Sequence, residues 1–98
     1  MDTGPTQKWE NSNRMTQGWI EKNNALYRKF EFKNFLEAFK FMTSVAQITE
    51  EQDHHPDWSN SWNVVEISLC SHDVGRTITS RDHRLAESIN SLLKESQK

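Results

Sequence analysis

Residues 25–32 alternate in polarity: Leu26, Phe30 and Phe32 fall on one side, Tyr27, Lys29 and Glu31 on the other. A period of two predicts a half-buried strand, with Arg28 the exception on the apolar side. Before it, "GWIEKN" reads as a short strand, and Asn23-Asn24 as the turn of a hairpin, because asparagine tolerates turn backbone. The period then changes. Phe35, Ala38, Phe39, Met42, Val45, Ala46 and Thr49 recur at helical spacing after Asn34, a good N-cap, which predicts a helix to about residue 51. Pro56 disfavours helix at His55 and bars simple continuation.

Alternation returns over residues 62–70. Asn63, Val65, Ile67 and Leu69 face one way, Trp62, Val64, Glu66 and Ser68 the other. "SHDVGR" reads as a turn, with Gly75 free to take positive φ, and a short strand is expected at residues 76–78. Residues 79–82, Thr-Ser-Arg-Asp, carry a capping-box signal. Leu85, Ala86, Ile89, Leu92 and Leu93 then mark the inner stripe of a last helix. The order strand, strand, helix, strand, strand, helix predicts an α+β fold: a small antiparallel four-stranded sheet with two main helices on one face. Residues 1–17 are polar and weakly patterned and read as a loose N-terminal arm, with a short helical turn near residues 7–15; residues 18–98 read as a single domain.

Composition narrows the partners. The 98-residue chain is polar (mean hydropathy -0.90), yet its ten aromatics argue against disorder. A net charge of -2 and no Lys/Arg cluster remove the footprint of a nucleic-acid binder. No run approaches the roughly 18–20 apolar residues of a membrane helix, and the first 17 residues lack the apolar core of a signal peptide. Cys70 is the single cysteine, so no intrachain disulfide forms. These features lead us to expect a cytoplasmic protein. A modest apolar content in a short chain also favours self-association, which shares burial between copies.

"DHHPDW", residues 53–58, concentrates candidate chemistry: it holds two of the four histidines and one of the two prolines. His72 follows the predicted strand 62–70, and His83 stands outside the apolar stripe of the last helix. Three readings stand for the histidines. They are plain surface residues. They bind a metal, although no HExxH, CxxC or helical i, i+4 histidine pair is present. Or they move protons on a bound organic ring, a task suited to a group that titrates near neutral pH, with Trp58 and Trp62 as a stacking wall.

The span from Phe41 to Ile89 resembles the pterin-4a-carbinolamine dehydratase family. Glu50, Asp53, His54, His55, Pro56, Asp57 and Trp58 match its helix-end signature in order, and Asn63, Val65, Ile67, Leu69, His72, Asp73, Asp82, Leu85, Ala86 and Ile89 match the strand and helix that follow. The likeness runs over roughly residues 18–95. Trp62 stands for the family's Tyr, Ser71 for its Thr, and "VGRTIT" for its Gly-Gly-Leu turn. The resemblance implies a lyase that removes water from 4a-hydroxytetrahydropterin in tetrahydrobiopterin recycling. It implies His54, His55 and His72 as catalytic groups, with His54 and His55 in acid–base roles and His72 hydrogen-bonding the substrate. It also places Glu50, Asp53, Trp58, Ser71 and Asp82 around the substrate, Glu50 or Asp82 orienting an imidazole. It implies no metal and no cofactor, since the pterin is the substrate, and a homodimer or homotetramer. A rival expectation from the same family is a protein-interaction module, a dimerisation cofactor working through a sheet edge or helix face.

Overall fold

Asn23 and Asn24 both take left-handed backbone, φ 55° and 62°, the geometry of a tight turn whose twist matches that of the strands it joins. In the computed structural model, which describes residues 18–96, this turn links β1 (Ile20–Lys22) to β2 (Ala25–Glu31). Then follow α1 (Phe35–Gln52), β3 (Asp57–Ser61), β4 (Val64–Leu69), a 3-10 turn at His72–Val74, and α2 (Ser80–Ser96). The sheet order is β1-β2-β4-β3, and every pairing is antiparallel. The expected α+β layout of four strands and two helices is therefore present. The arm and the helical turn expected within residues 1–17 lie outside the described residues.

One strand differs from the sequence reading. Residues 76–78 make only an isolated bridge, Ser71 with Thr77. The fourth strand is β3, which begins inside the "DHHPDW" motif. Its sequence, DWSNS, has one apolar residue and no alternation to detect. It forms because β4 offers a free edge and Trp62, at φ 52°, closes the hairpin between them. Trp62 is thus a turn residue, not the start of a strand, and its ring is exposed. A polar edge strand is also a common safeguard against edge-to-edge pairing.

The core lies between one sheet face and the helices. Leu26, Phe30, Val65, Ile67 and Leu69 meet Ala38, Phe41 and Val45 of α1 and Leu85, Ala86 and Ile89 of α2. Phe41 is the aromatic hub, its ring 4.8 Å from that of Phe30 and 4.9 Å from that of Phe32. The expected stripe on α1 was too broad. Ala38, Val45 and Thr49 are buried as expected, but Phe35, Phe39 and Ala46 are not, and Phe41 takes their place. Residues 38, 41, 45 and 49 form one line along the helix, whereas residues 35, 39 and 46 sit about 80° round from it. The apolar sector of α1 is wider than the sheet can cover. Phe35 and Phe39 instead contact each other on the outside, their centroids 5.7 Å apart.

Candidate active site

Asn34 starts α1 by accepting the Glu37 amide at 2.9 Å, and Asp53 ends it. Asp53 adopts left-handed backbone, φ 52° and ψ 45°, which aspartate tolerates better than most residues. Its amide donates to Glu50 O at 3.3 Å and that of His54 to Thr49 O at 3.1 Å, so the helix is closed before Pro56 is reached. Residues 54–56 then run without regular structure into β3. This exit sends the two adjacent histidines to different surroundings.

His54 turns inward. It is 8% exposed, and its Nε2 lies 2.5 Å from Oδ1 of Asp82, whose exposure is 0%. The other carboxylate oxygen of Asp82 accepts from Ser71 Oγ at 2.9 Å and from the Thr79 amide at 2.8 Å. Ser71 and Thr79 hydroxyls are 2.6 Å apart, and Thr79 Oγ1 accepts the Arg81 amide at 3.3 Å. The capping box predicted for residues 79–82 is therefore formed, and its acidic member also grips a histidine. Buried polar groups need such partners, and every oxygen of Asp82 has one.

His55 turns outward. Its Nε2 is 2.7 Å from Oε2 of Glu50, one turn back on α1, and both side chains are open to solvent. His72 opens the 3-10 turn, and its Nε2 lies 3.4 Å from Oδ2 of Asp57 and 3.7 Å from Sγ of Cys70. Cross-strand register explains the meeting: Asp57 pairs with Ser68 on β4, two residues before Cys70. Burial pushes the Cys70 thiol above its ordinary range; Asp57 and Asp82 add to that, while Arg76 opposes it. The turn itself is clamped by the Arg81–Asp73 pair at 2.6 Å, which lowers the Asp73 carboxyl and raises the Arg81 guanidinium. Gly75, at φ 83°, donates its amide to His72 O at 3.3 Å.

The motif histidines 54, 55 and 72 thus each meet a carboxylate. Of the two acids expected near an imidazole, Asp82 lies against His54 and Glu50 against His55. Ser71 is buried and spends its hydroxyl on Asp82. Trp58 packs against the core from β3, at the opposite end of the hairpin from Trp62, so the two do not form a shared wall. Asp53 is exposed at the helix end. Sequence reasoning gave no role in the site to Asp57 or Cys70. Their roles depend on register between strands, which no local signal reveals. A cavity of about 390 Å³ opens beside them, lined by Tyr27, Asp57, Ser68, Cys70 and Arg76 among others. No helix among the described residues is long and apolar enough to cross a membrane.

The chain is similar to several known proteins. Residues 5–92 match the family described as pterin 4 alpha carbinolamine dehydratase. A protein of Prochlorococcus marinus (strain NATL2A), provisionally named a pterin-4-alpha-carbinolamine dehydratase, is 49% identical over 75 residues, covering 76% of this chain and 78% of its own. A protein of Afipia carboxidovorans with the same provisional name is 48% identical over 77 residues, covering 76% of each chain. The crystal structure of a transcriptional coactivator/pterin dehydratase from Brucella melitensis superposes with a TM-score of 0.76 at 33% identity, covering 87% of this chain and 92% of that one. A pterin dehydratase-like protein identified as a RuBisCO assembly factor in the alpha-carboxysome shares the fold, with a TM-score of 0.66 at 21% identity over 80% of this chain and 92% of that one.

Proposed function

This chain belongs to the pterin 4 alpha carbinolamine dehydratase family, and we propose that it dehydrates 4a-hydroxytetrahydropterin to the quinonoid dihydropterin. It would act as a carbon–oxygen lyase in tetrahydrobiopterin recycling, in the cytoplasm. The observation that carries this reading is the buried His54–Asp82 pair, 2.5 Å long, set beside the exposed His55–Glu50 pair.

The substrate carries a hydroxyl on C4a and a hydrogen on N5. A proton goes to the hydroxyl oxygen, and the C4a–O bond breaks as water departs. N5 gives up its proton as its electrons close the C4a–N5 double bond. His54 and His55 handle these two transfers. Asp82 and Glu50 each hold one ring nitrogen, Nε2, which leaves Nδ1 of each histidine for the proton. Positioned acid–base groups typically contribute about 10²–10⁴-fold. His72 hydrogen-bonds the ring or the C4a hydroxyl. Glu50 and Asp53 stand at the open side, where they contact substrate. Trp58 and Ser71 shape the site from behind, one packed on the core and the other bonded to Asp82.

The test is turnover of enzymatically generated 4a-hydroxytetrahydropterin, followed by quinonoid absorbance. A rate above the uncatalysed one is expected, and it should collapse in His54→Ala and His55→Ala proteins that remain folded. Full activity in the folded double variant would sink the mechanism.

A second reading is favoured by the outer face of α1. Leu36 and Phe39 are 67% and 51% exposed, beside Phe35. Apolar side chains grouped on one helix suit a protein surface better than water. On this reading the chain forms a homodimer or homotetramer, through this face or a sheet edge, and can serve as a dimerisation cofactor or coactivator. A partner retained after loss of His54, His55 and His72 would support it.

A further inference from the structure

We propose that Asp57, Cys70 and His72 form a zinc site, and that its occupation withdraws His72 from the dehydration. The second clause rests on the function proposed above; the first does not.

The three donors come from different elements. Asp57 opens β3, Cys70 follows β4, and His72 opens the 3-10 turn. Their ligand atoms all lie within 4.8 Å of one another. A tetrahedral zinc with bonds of about 2.0–2.3 Å separates neighbouring ligand atoms by roughly 3.3–3.6 Å. The His72 Nε2–Asp57 Oδ2 distance is 3.4 Å and the Cys70 Sγ–His72 Nε2 distance 3.7 Å. Two edges of the ligand triangle are therefore close to their bound lengths. The third closes by rotation of Asp57, an exposed side chain.

Donor chemistry selects the ion. A thiolate, an imidazole and a carboxylate make a mixed, borderline-soft set that suits zinc and not magnesium or calcium, which take oxygen ligands. The thiol proton leaves to solvent as the sulfur–zinc bond forms, and the His72 proton resides on Nδ1 so that Nε2 presents its lone pair. Zinc's two positive charges are then balanced by Cys70 and Asp57. Lys22 and Arg76, which line the same cavity, face a neutral centre. Three protein ligands leave a fourth position for water. With Nε2 committed to the metal, His72 no longer offers that nitrogen to a substrate.

The reduced, metal-free full chain should be titrated with Co²⁺ and then with Zn²⁺. Cys70 is the single cysteine, so a thiolate-to-cobalt charge-transfer band can come from it alone. We expect that band to saturate at one ion per chain, with visible bands of tetrahedral cobalt, and to vanish on adding zinc. Cys70→Ser should abolish it and weaken zinc binding by more than the roughly tenfold that loss of an outer-shell partner costs. Asp57→Asn, a change at an exposed residue, should weaken zinc binding while keeping the band. No band from the folded wild-type chain, saturation at half an ion per chain, or unchanged zinc affinity in Cys70→Ser would overturn the site. In the dehydration assay, zinc should slow the wild-type chain and EDTA restore it. Zinc bound at one per chain without slowing an active enzyme would overturn the second clause. A chain that binds cobalt through Cys70 but turns over no pterin would sink the proposed function and leave the site standing.

Discussion

His54 Nε2 sits 2.5 Å from Asp82 Oδ1, with the two side chains 9% and 0% exposed. The same carboxylate closes the first turn of α2 and accepts the Ser71 hydroxyl. One buried side chain therefore joins the exit of α1, the turn after β4 and the start of α2.

Asp82→Asn keeps the volume but removes the acceptor-only group. The amide oxygen can still accept from Ser71 and the Thr79 amide, but its NH2 meets His54 Nε2 only when that nitrogen carries no proton, which forces the Nδ1–H tautomer and ends any charge pairing. Losing the charge-assisted hydrogen bond to His54 costs about 1.5–3 kcal/mol, to be read from denaturant unfolding. Turnover of the folded fraction should fall by roughly 10²–10⁴.

Glu50→Gln should behave differently. The Glu50–His55 pair is open to solvent, and exposed pairs contribute about 0–1 kcal/mol. Unfolding should barely move, while turnover should fall by less than in Asp82→Asn. Equal losses in the two variants would mean that burial does not distinguish the two pairs.

Tyr27 is the single tyrosine, so its near-ultraviolet tyrosinate absorbance reports one group. Its hydroxyl donates to Glu66 Oε1 at 2.8 Å, and that hydrogen bond raises its pKa above 10.0. The neutral form is the one favoured, so the contribution to folding is complete below the ordinary value and is lost as pH rises through the raised one. Glu66→Gln should move the titration midpoint down. An unchanged midpoint would remove Glu66 as the cause.

Leu36→Lys together with Phe39→Lys places charge on the exposed apolar face of α1. Sedimentation should show a self-associated wild-type chain and a lighter variant of unchanged helix content. A wild-type monomer would contradict the proposed assembly.

Asn34→Ala removes the side-chain acceptor for the Glu37 amide. Loss of such an N-cap costs about 1 kcal/mol, measurable as a shift of the denaturant midpoint. Turnover per folded molecule should not change.

Local patterns carried much of this. Asn23-Asn24, Asn34 and the Thr79–Asp82 box all sit where their backbone chemistry predicts, because turns and caps are settled within a few residues. Val65, Ile67 and Leu69 alternate inward as read. The order of elements was also within reach of the sequence.

What lay beyond it involves residues far apart in the chain. Periodicity on α1 shows an apolar sector; only packing shows that Phe41 enters the core while Phe39 stays outside. Asp57–Ser61 becomes a strand because β4 has an edge to pair with, not through any pattern of its own. His54 and Asp82, and Asp57 and Cys70, meet only once register and helix placement are set. The sequence determined the elements and the chemical groups, because propensity and periodicity act between near neighbours. The tertiary structure decided which histidine is buried, which is open and what each one holds, because burial and pairing are relations between distant segments.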